Sequence, residues 1–167
     1  KRSCHDGCIR IPMILCGPGF QGGSVPRNLV SLIDLPPTIL TAAGLRPPET
    51  HRGRPLQPLP AGGDPDWPGE VFLQISESQC GRAIRTERWK YSVRAPGAPG
   101  DQPASDLYEE DCLYDLAADP HERDNRVSDP ALADIRAQLA QALIRRMKAA
   151  GEAAPRIRPS PAGGGSP

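Results

Sequence analysis

The stretch Gly81–Tyr91, GRAIRTERWKY, constrains the fold of this chain more than any other. It predicts a tight hairpin, with Arg82–Thr86 as one strand, Glu87-Arg88 as the turn and Trp89–Val93 as the return. On the return strand Trp89, Tyr91 and Val93 fall on one face and Lys90, Ser92 and Arg94 on the other. That alternation is the period of a sheet with one face buried. The turn lacks the Asn-Gly or Asp-Gly of two-residue hairpins, which leaves the register open. Val71–Ile75 (VFLQI) supplies a third apolar strand and Asp111–Leu116 (DCLYDL) a fourth. Such a small antiparallel sheet needs a cover.

Ala131–Ala150 provides it. Leu132, Ile135, Leu139, Leu143 and Met147 recur at steps of three and four, an apolar stripe along one side of a helix. Asp129 stands where an N-cap is expected and Pro130 at the first helical position. Arg145, Arg146 and Lys148 crowd the last turns, where cations complement the helix dipole, and Gly151 is a natural stop.

Composition limits how much of the remainder packs. The 167 residues include 21 prolines and 17 glycines but only 4% aromatics, too few large side chains for one core over the whole length. The prolines and glycines gather in Arg46–Gly69, Ala95–Ser105 and Pro155–Pro167, which read as loops and a tail. Twenty basic and twenty acidic residues cancel, so charge points neither to nucleic acid nor to an anionic membrane. No apolar run reaches the roughly 18–20 residues that span a bilayer. The chain starts on Lys1, so the absence of a signal peptide excludes nothing. Cys4, Cys8, Cys16, Cys80 and Cys112 are odd in number and include no Cys-x-x-Cys pair. Cys4, His5 and Cys8 have no second ligand pair at zinc spacing, so they read as ordinary thiols beside a histidine. None of this assigns a compartment.

At the start of the chain, Ile9–Cys16 is an apolar, β-leaning run stopped by Gly17-Pro18-Gly19 and predicts a buried strand. Leu29–Ile33 and Leu35–Ala43 predict a helical segment interrupted near Pro36-Pro37, with Asp34 as a cap and Gly44 at its end. A covered strand followed by a helix is part of an α/β layer, not a whole domain. The expected organisation is therefore an α/β piece with a Pro-rich loop over 1–66, an α+β sheet-and-helix subdomain over 67–151, and a disordered tail over 152–167.

IRIP, GPG and LVSLIDLPPTILTAAGL, followed by GRAIRTERWKY, LYDLAADPHERDN and a closing amphipathic helix, resemble the sulfatase family of the alkaline-phosphatase-like superfamily. The likeness covers about Lys1–Lys148 in the family's order, and these motifs in sequence are specific. It implies the end of an alkaline-phosphatase-like α/β domain followed by a small antiparallel sheet packed by a C-terminal helix. It also implies hydrolysis of sulfate esters, with phosphate or phosphonate esters cleaved by some relatives. The chemistry implied uses a formylglycine made from Cys or Ser in a Cys/Ser-x-Pro-x-Arg motif, with calcium or another divalent cation.

The sequence departs from the family in two respects, the nucleophile and the metal site. No Cys or Ser is followed by x-Pro-x-Arg, and the family's acidic metal ligands and its Asp-Asn/His-Gly element have no match. The chain is therefore expected to be a C-terminal fragment that lacks an N-terminal catalytic part, inactive alone and binding no metal. The rival expectation is a non-catalytic module that binds a partner through its sheet; sequence upstream of Lys1 would separate the two.

Within the resemblance, Lys1 matches a lysine that reaches the sulfate oxygens, eight residues before Ile9. His5 matches a Tyr or His at the rim of the substrate pocket, able to contact substrate or donate a proton. Arg10, inside an apolar run, is read as needing a structural partner. Asp106, Glu109, Glu110, Asp111 and Asp115 lack the Gly-centred spacing of a calcium loop and read as a solvated turn face. His51 and His121 lie in polar loops and read as surface residues, while Gln74, Glu77 and Arg82 are weaker candidates for the mouth of a cleft.

Overall fold

The computed structural model describes residues 3–160. In chain order its elements are α1 (Asp6–Ile9), α2 (Leu35–Ala42), β1 (Glu70–Ile75), β2 (Gly81–Thr86), β3 (Trp89–Arg94), β4 (Leu107–Asp115), α3 (Ala133–Ala149) and β5 (Arg156–Arg158). The described residues fall into two compact units, Pro12–Val71 and a larger one that joins residues 3–11 to residues 72–160. Residues 3–11 thus pack with the sheet, where the sequence groups them with the α/β piece.

The larger unit is α+β. Its sheet runs β1-β2-β3-β4-β5. The hairpin turns at Glu87-Arg88 as expected, and each strand runs one residue further than expected at its far end, with Ile84 opposite Tyr91 and Arg85 opposite Lys90. Thr86 closes its turn, where its hydroxyl accepts from the Trp89 N–H at 2.8 Å. β4 is longer than the expected Asp111–Leu116 because acidic residues, poor in β propensity, hid its first half. It pairs antiparallel with β3 through a bulge at Ser92/Val93. The tail, expected to lack structure, supplies β5, which pairs parallel with β4 and makes the sheet mixed.

α3 crosses one face of this sheet. Leu139, Ala142, Leu143 and Met147 are buried in a core with Ile84, Tyr91, Val93, Tyr108 and Leu113. A 3₁₀ turn over Pro130–Leu132 precedes the helix, and the Asp129 carboxylate accepts from the Ala131 N–H at 2.9 Å. Each fully buried leucine of the stripe contributes about 1.5–3 kcal/mol.

The other face does not meet solvent as expected. Lys90 and Ser92, assigned to an open face, are both 0% exposed. The N-terminal segment covers that face: Cys4 is buried against Ile75, Ala83 and Leu73. β3 is therefore a central strand covered on both sides, and its lysine requires buried partners.

In the unit Pro12–Val71, Ile9–Cys16 forms no strand. Ile9 ends α1, and from Arg10 to Cys16 the chain is irregular, with Ile14 95% exposed. A strand exists through its neighbours' hydrogen bonds, and none pairs with this run among the described residues. Of Leu29–Ile33, only Leu32 and Ile33 are helical, in a 3₁₀ turn that runs to Asp34. Asp34 accepts from the Ser31 and Arg54 N–H groups, and the Thr38 hydroxyl ties α2 to the Leu56 N–H. Gly53 is obligatory here, because a Cβ would sit 1.9 Å from the Ile33 carbonyl oxygen. Val25, Leu32, Ile33 and Ile39 remain exposed, and a hollow of about 460 Å³ opens among residues including Met13, Ile14, Phe20 and Leu56.

Candidate functional site

Lys1 lies outside the described residues. His5 is half-buried and held at both ring nitrogens: Nδ1 is 3.0 Å from the Ser3 hydroxyl and Nε2 is 3.2 Å from the Tyr114 hydroxyl. The Tyr114 ring lies 5.6 Å from the imidazole, tilted by 52°. Burial, reinforced by the neighbouring Cys112 thiol, pushes the Tyr114 phenol well up, so it stays protonated. Tyr114 stands opposite Lys90 in the β3–β4 register.

Behind His5 three motifs distant in sequence converge. The Lys90 ammonium bonds both the Asp6 and the Glu122 carboxylates. Asp6 follows His5 directly, Lys90 belongs to the hairpin, and Glu122 lies in the DPHERDN stretch. The other Glu122 oxygen accepts from the Asp6 N–H at 2.6 Å. Arg85, beside Lys90 on the neighbouring strand, reaches both Asp6 oxygens at 3.4 Å. Two cations thus face two carboxylates, with the Lys90 side chain 0% exposed and that of Glu122 4%. Burial pushes the Asp6 carboxyl up, but the Lys90 hydrogen bond and charge, joined by Arg85, outweigh it and hold the group below its usual range.

Glu122 has φ 55, the left-handed region that a side chain other than Gly, Asn or Asp seldom adopts. In the same stretch Asn125 accepts from the Leu113 and Val127 N–H groups and donates to the Asp111 carbonyl, which fastens the loop to β4. The sequence reading missed Lys90, Asp6 and Glu122, because strand periodicity cannot tell a solvated lysine from one paired across the fold. The one available signal was a lysine flanked on both sides by core aromatics, Trp89 and Tyr91.

Several of the other candidates are engaged in ion pairs or hydrogen bonds of the larger unit. Arg82 is 2% exposed and bonds both Glu152 oxygens, while the exposed Gln74 donates to the same carboxylate at 2.8 Å. The Glu77 N–H donates to the Gly100 carbonyl. Arg10 is exposed rather than paired in a strand, and His121 lies exposed in its loop, whereas His51 is half-buried. Four of the acidic residues lie along β4 rather than in a turn and face arginines: Glu109 with Arg158, Glu110 with Arg136, Asp111 with Arg94 and Asp115 with Arg88. Asp106 is exposed at the strand's start.

The described residues do not fit the divalent cation that the sulfatase resemblance implies. Among them no group of three His, Cys, Asp or Glu side chains converges as a ligand set. The best-converged acids, Asp6 and Glu122, already hold cationic side chains.

The comparisons agree with this architecture. The family described as "N-sulphoglucosamine sulphohydrolase, C-terminal" matches residues 1–149. Arylsulfatase K of Homo sapiens is 30% identical over 135 residues, covering 75% of this chain and 24% of that protein. The multifunctional alkaline phosphatase superfamily protein PehA of Trinickia caryophylli is 31% identical, covering 93% of this chain and 32% of that protein. The crystal structure of the phosphonate monoester hydrolase of Agrobacterium radiobacter superposes with a TM-score of 0.55 at 28% identity, over 74% of this chain and 25% of that one. The chain thus spans between about a quarter and a third of the length of these relatives. The chain belongs to the N-sulphoglucosamine sulphohydrolase C-terminal family, in the sulfatase branch of the alkaline-phosphatase-like superfamily.

Proposed function

We propose that this chain is the C-terminal part of a sulfate-ester hydrolase, and that it contributes Lys1 and His5 to the substrate pocket and the sheet-and-helix subdomain beside it. The observation that carries the reading is the family match over residues 1–149, in a chain covering only 24% of its arylsulfatase relative. The exposed Ile14, Val25, Leu32, Ile33 and Ile39 support it, since apolar side chains left uncovered suit a further layer packed over them. On this reading the nucleophile and the metal belong to segments of a longer polypeptide, because the described residues offer no set that fits the cation.

The chain's own contribution is charge and orientation. The Lys1 ammonium is a compact cation suited to the oxygens of an anionic ester. The His5 ring, tied to Ser3 and Tyr114, has a fixed direction in which to meet substrate.

A second reading, phosphonate- or phosphate-ester hydrolysis, is favoured by the likeness to PehA and to the phosphonate monoester hydrolase. The test is to extend the polypeptide upstream of Lys1 and assay aryl sulfate and aryl phosphonate side by side. The proposal expects the larger kcat/KM on the sulfate. A larger value on the phosphonate selects the second reading, and turnover of neither ester refutes both.

A further inference from the structure

We propose that Lys90 is a positioning residue: its buried ammonium, shared by Asp6 and Glu122, fixes the Ser3–Asp6 segment and so aims the His5 imidazole. This rests on the reading of His5 as a pocket residue.

Apolar packing gives the segment little hold. α1 is a single turn with no buried residue, and Ser3, His5 and Asp6 are all partly exposed. Cys4 alone is inserted into the apolar layer. What ties the segment down beyond that thiol is polar and directional. Lys90 and Arg85 hold the Asp6 carboxylate, Glu122 holds the Asp6 N–H, and Tyr114 holds the His5 ring. Hydrogen-bonded charges in a buried site specify position through direction, whereas apolar contacts tolerate sliding.

Two further observations point the same way. Glu122 holds its φ of 55 while one carboxylate serves Lys90 and the Asp6 N–H at once, and backbone strain persists where the surroundings over-determine it. The register places Lys90 directly opposite Tyr114, so the residue that holds the Asp6 carboxylate and the residue that holds the His5 ring are cross-strand neighbours. Asp6 and His5 are consecutive, and a shift in the Asp6 tether moves the imidazole at once.

The experiment uses the 167-residue chain, isotopically labelled, with variants Lys90→Met, close in shape but uncharged, and Tyr114→Phe. In the parent, proton contacts between the His5 and Tyr114 rings are expected, with a hydrogen-bonded Asp6 amide. In Lys90→Met, both signals are lost while contacts among Tyr91, Leu113 and Leu143 persist. In Tyr114→Phe, only the His5 Nε2 resonance moves and the Asp6 amide stays. If Lys90→Met does not fold, Glu122→Gln is read for the same two losses. Persistence of the His5–Tyr114 contacts and the Asp6 amide in a folded variant of Lys90 or Glu122 overturns the proposal. In the upstream-extended polypeptide, Lys90→Met is expected to lower kcat per folded molecule about a hundredfold, the scale of a misplaced catalytic group, with a smaller change in KM. If that polypeptide hydrolyses neither ester, the reading of function fails while the resonance result stands; unchanged kcat in folded Lys90→Met overturns the positioning role alone.

Discussion

Replacing Lys90 by Met leaves the Glu122 carboxylate, 4% exposed at its side chain, without its cation, while Asp6 keeps only the longer contacts to Arg85. Breaking a buried pair by removing one partner costs about 3–5 kcal/mol, chiefly from the uncompensated charge left behind. A domain of this size has only about 5–15 kcal/mol to lose, so the variant is expected to unfold at markedly lower urea. Neutralising the partners as well separates the mechanisms. Lys90→Met with Asp6→Asn and Glu122→Gln carries no orphaned charge, so it is expected to lose less stability than Lys90→Met alone. Urea denaturation followed by far-ultraviolet circular dichroism, with all combinations of the three substitutions, gives the coupling directly. A loss below about 1 kcal/mol for Lys90→Met, or losses that simply add in the triple variant, refutes a coupled buried network.

Three other outcomes follow from the same structure. Leu143→Ala empties a fully buried site over the sheet and is expected to cost about 2–5 kcal/mol, whereas Gln141→Ala, on the exposed side of α3, changes urea stability by under about 0.5 kcal/mol. Asp6 has its folded pKa held below the unfolded value of about 3.9, so its contribution is full above that pH and is lost as pH falls through the folded value; Asp6→Asn should flatten the decline of the urea midpoint on acidification. Iodoacetamide at neutral pH is expected to alkylate the exposed Cys8 and Cys16, and Cys8 faster, because the Ser3 hydroxyl lowers its pKa. Cys4, raised by burial, Cys112, pushed up to about 12 by burial and by Asp111, and the buried Cys80 should react only after unfolding.

What was legible in the sequence was what periodicity encodes. The alternation in Trp89–Val93 and the Leu139–Leu143–Met147 stripe are local patterns, and they gave the hairpin, the helix and the core between them. The first half of β4 was hidden because Glu109 and Glu110 are poor strand formers taken up by the arginines they face. β5 was hidden because three residues in a Pro-rich tail carry no period at all. Ile9–Cys16 misled in the opposite direction: an apolar run records what a segment prefers to be buried against, and among the described residues no strand pairs with it. His5 was reached through family likeness. The network behind it was not, because Asp6, Lys90 and Glu122 are joined only by the fold, across separations of 84 and 32 residues.

The most direct test of the proposed function is the Lys1→Ala substitution in the upstream-extended polypeptide, measured beside the 167-residue chain itself. One positioned cation cannot supply the roughly 8 kcal/mol or more by which enzymes lower barriers, so the 167-residue chain with calcium added should leave an aryl sulfate at its background rate. The extended polypeptide should hydrolyse it, and Lys1→Ala should lower kcat/KM about ten- to a thousandfold, the cost of one charged contact to the transition state, with metal affinity unchanged. Turnover by the 167-residue chain alone, or an extended Lys1→Ala variant with full activity, would contradict the account.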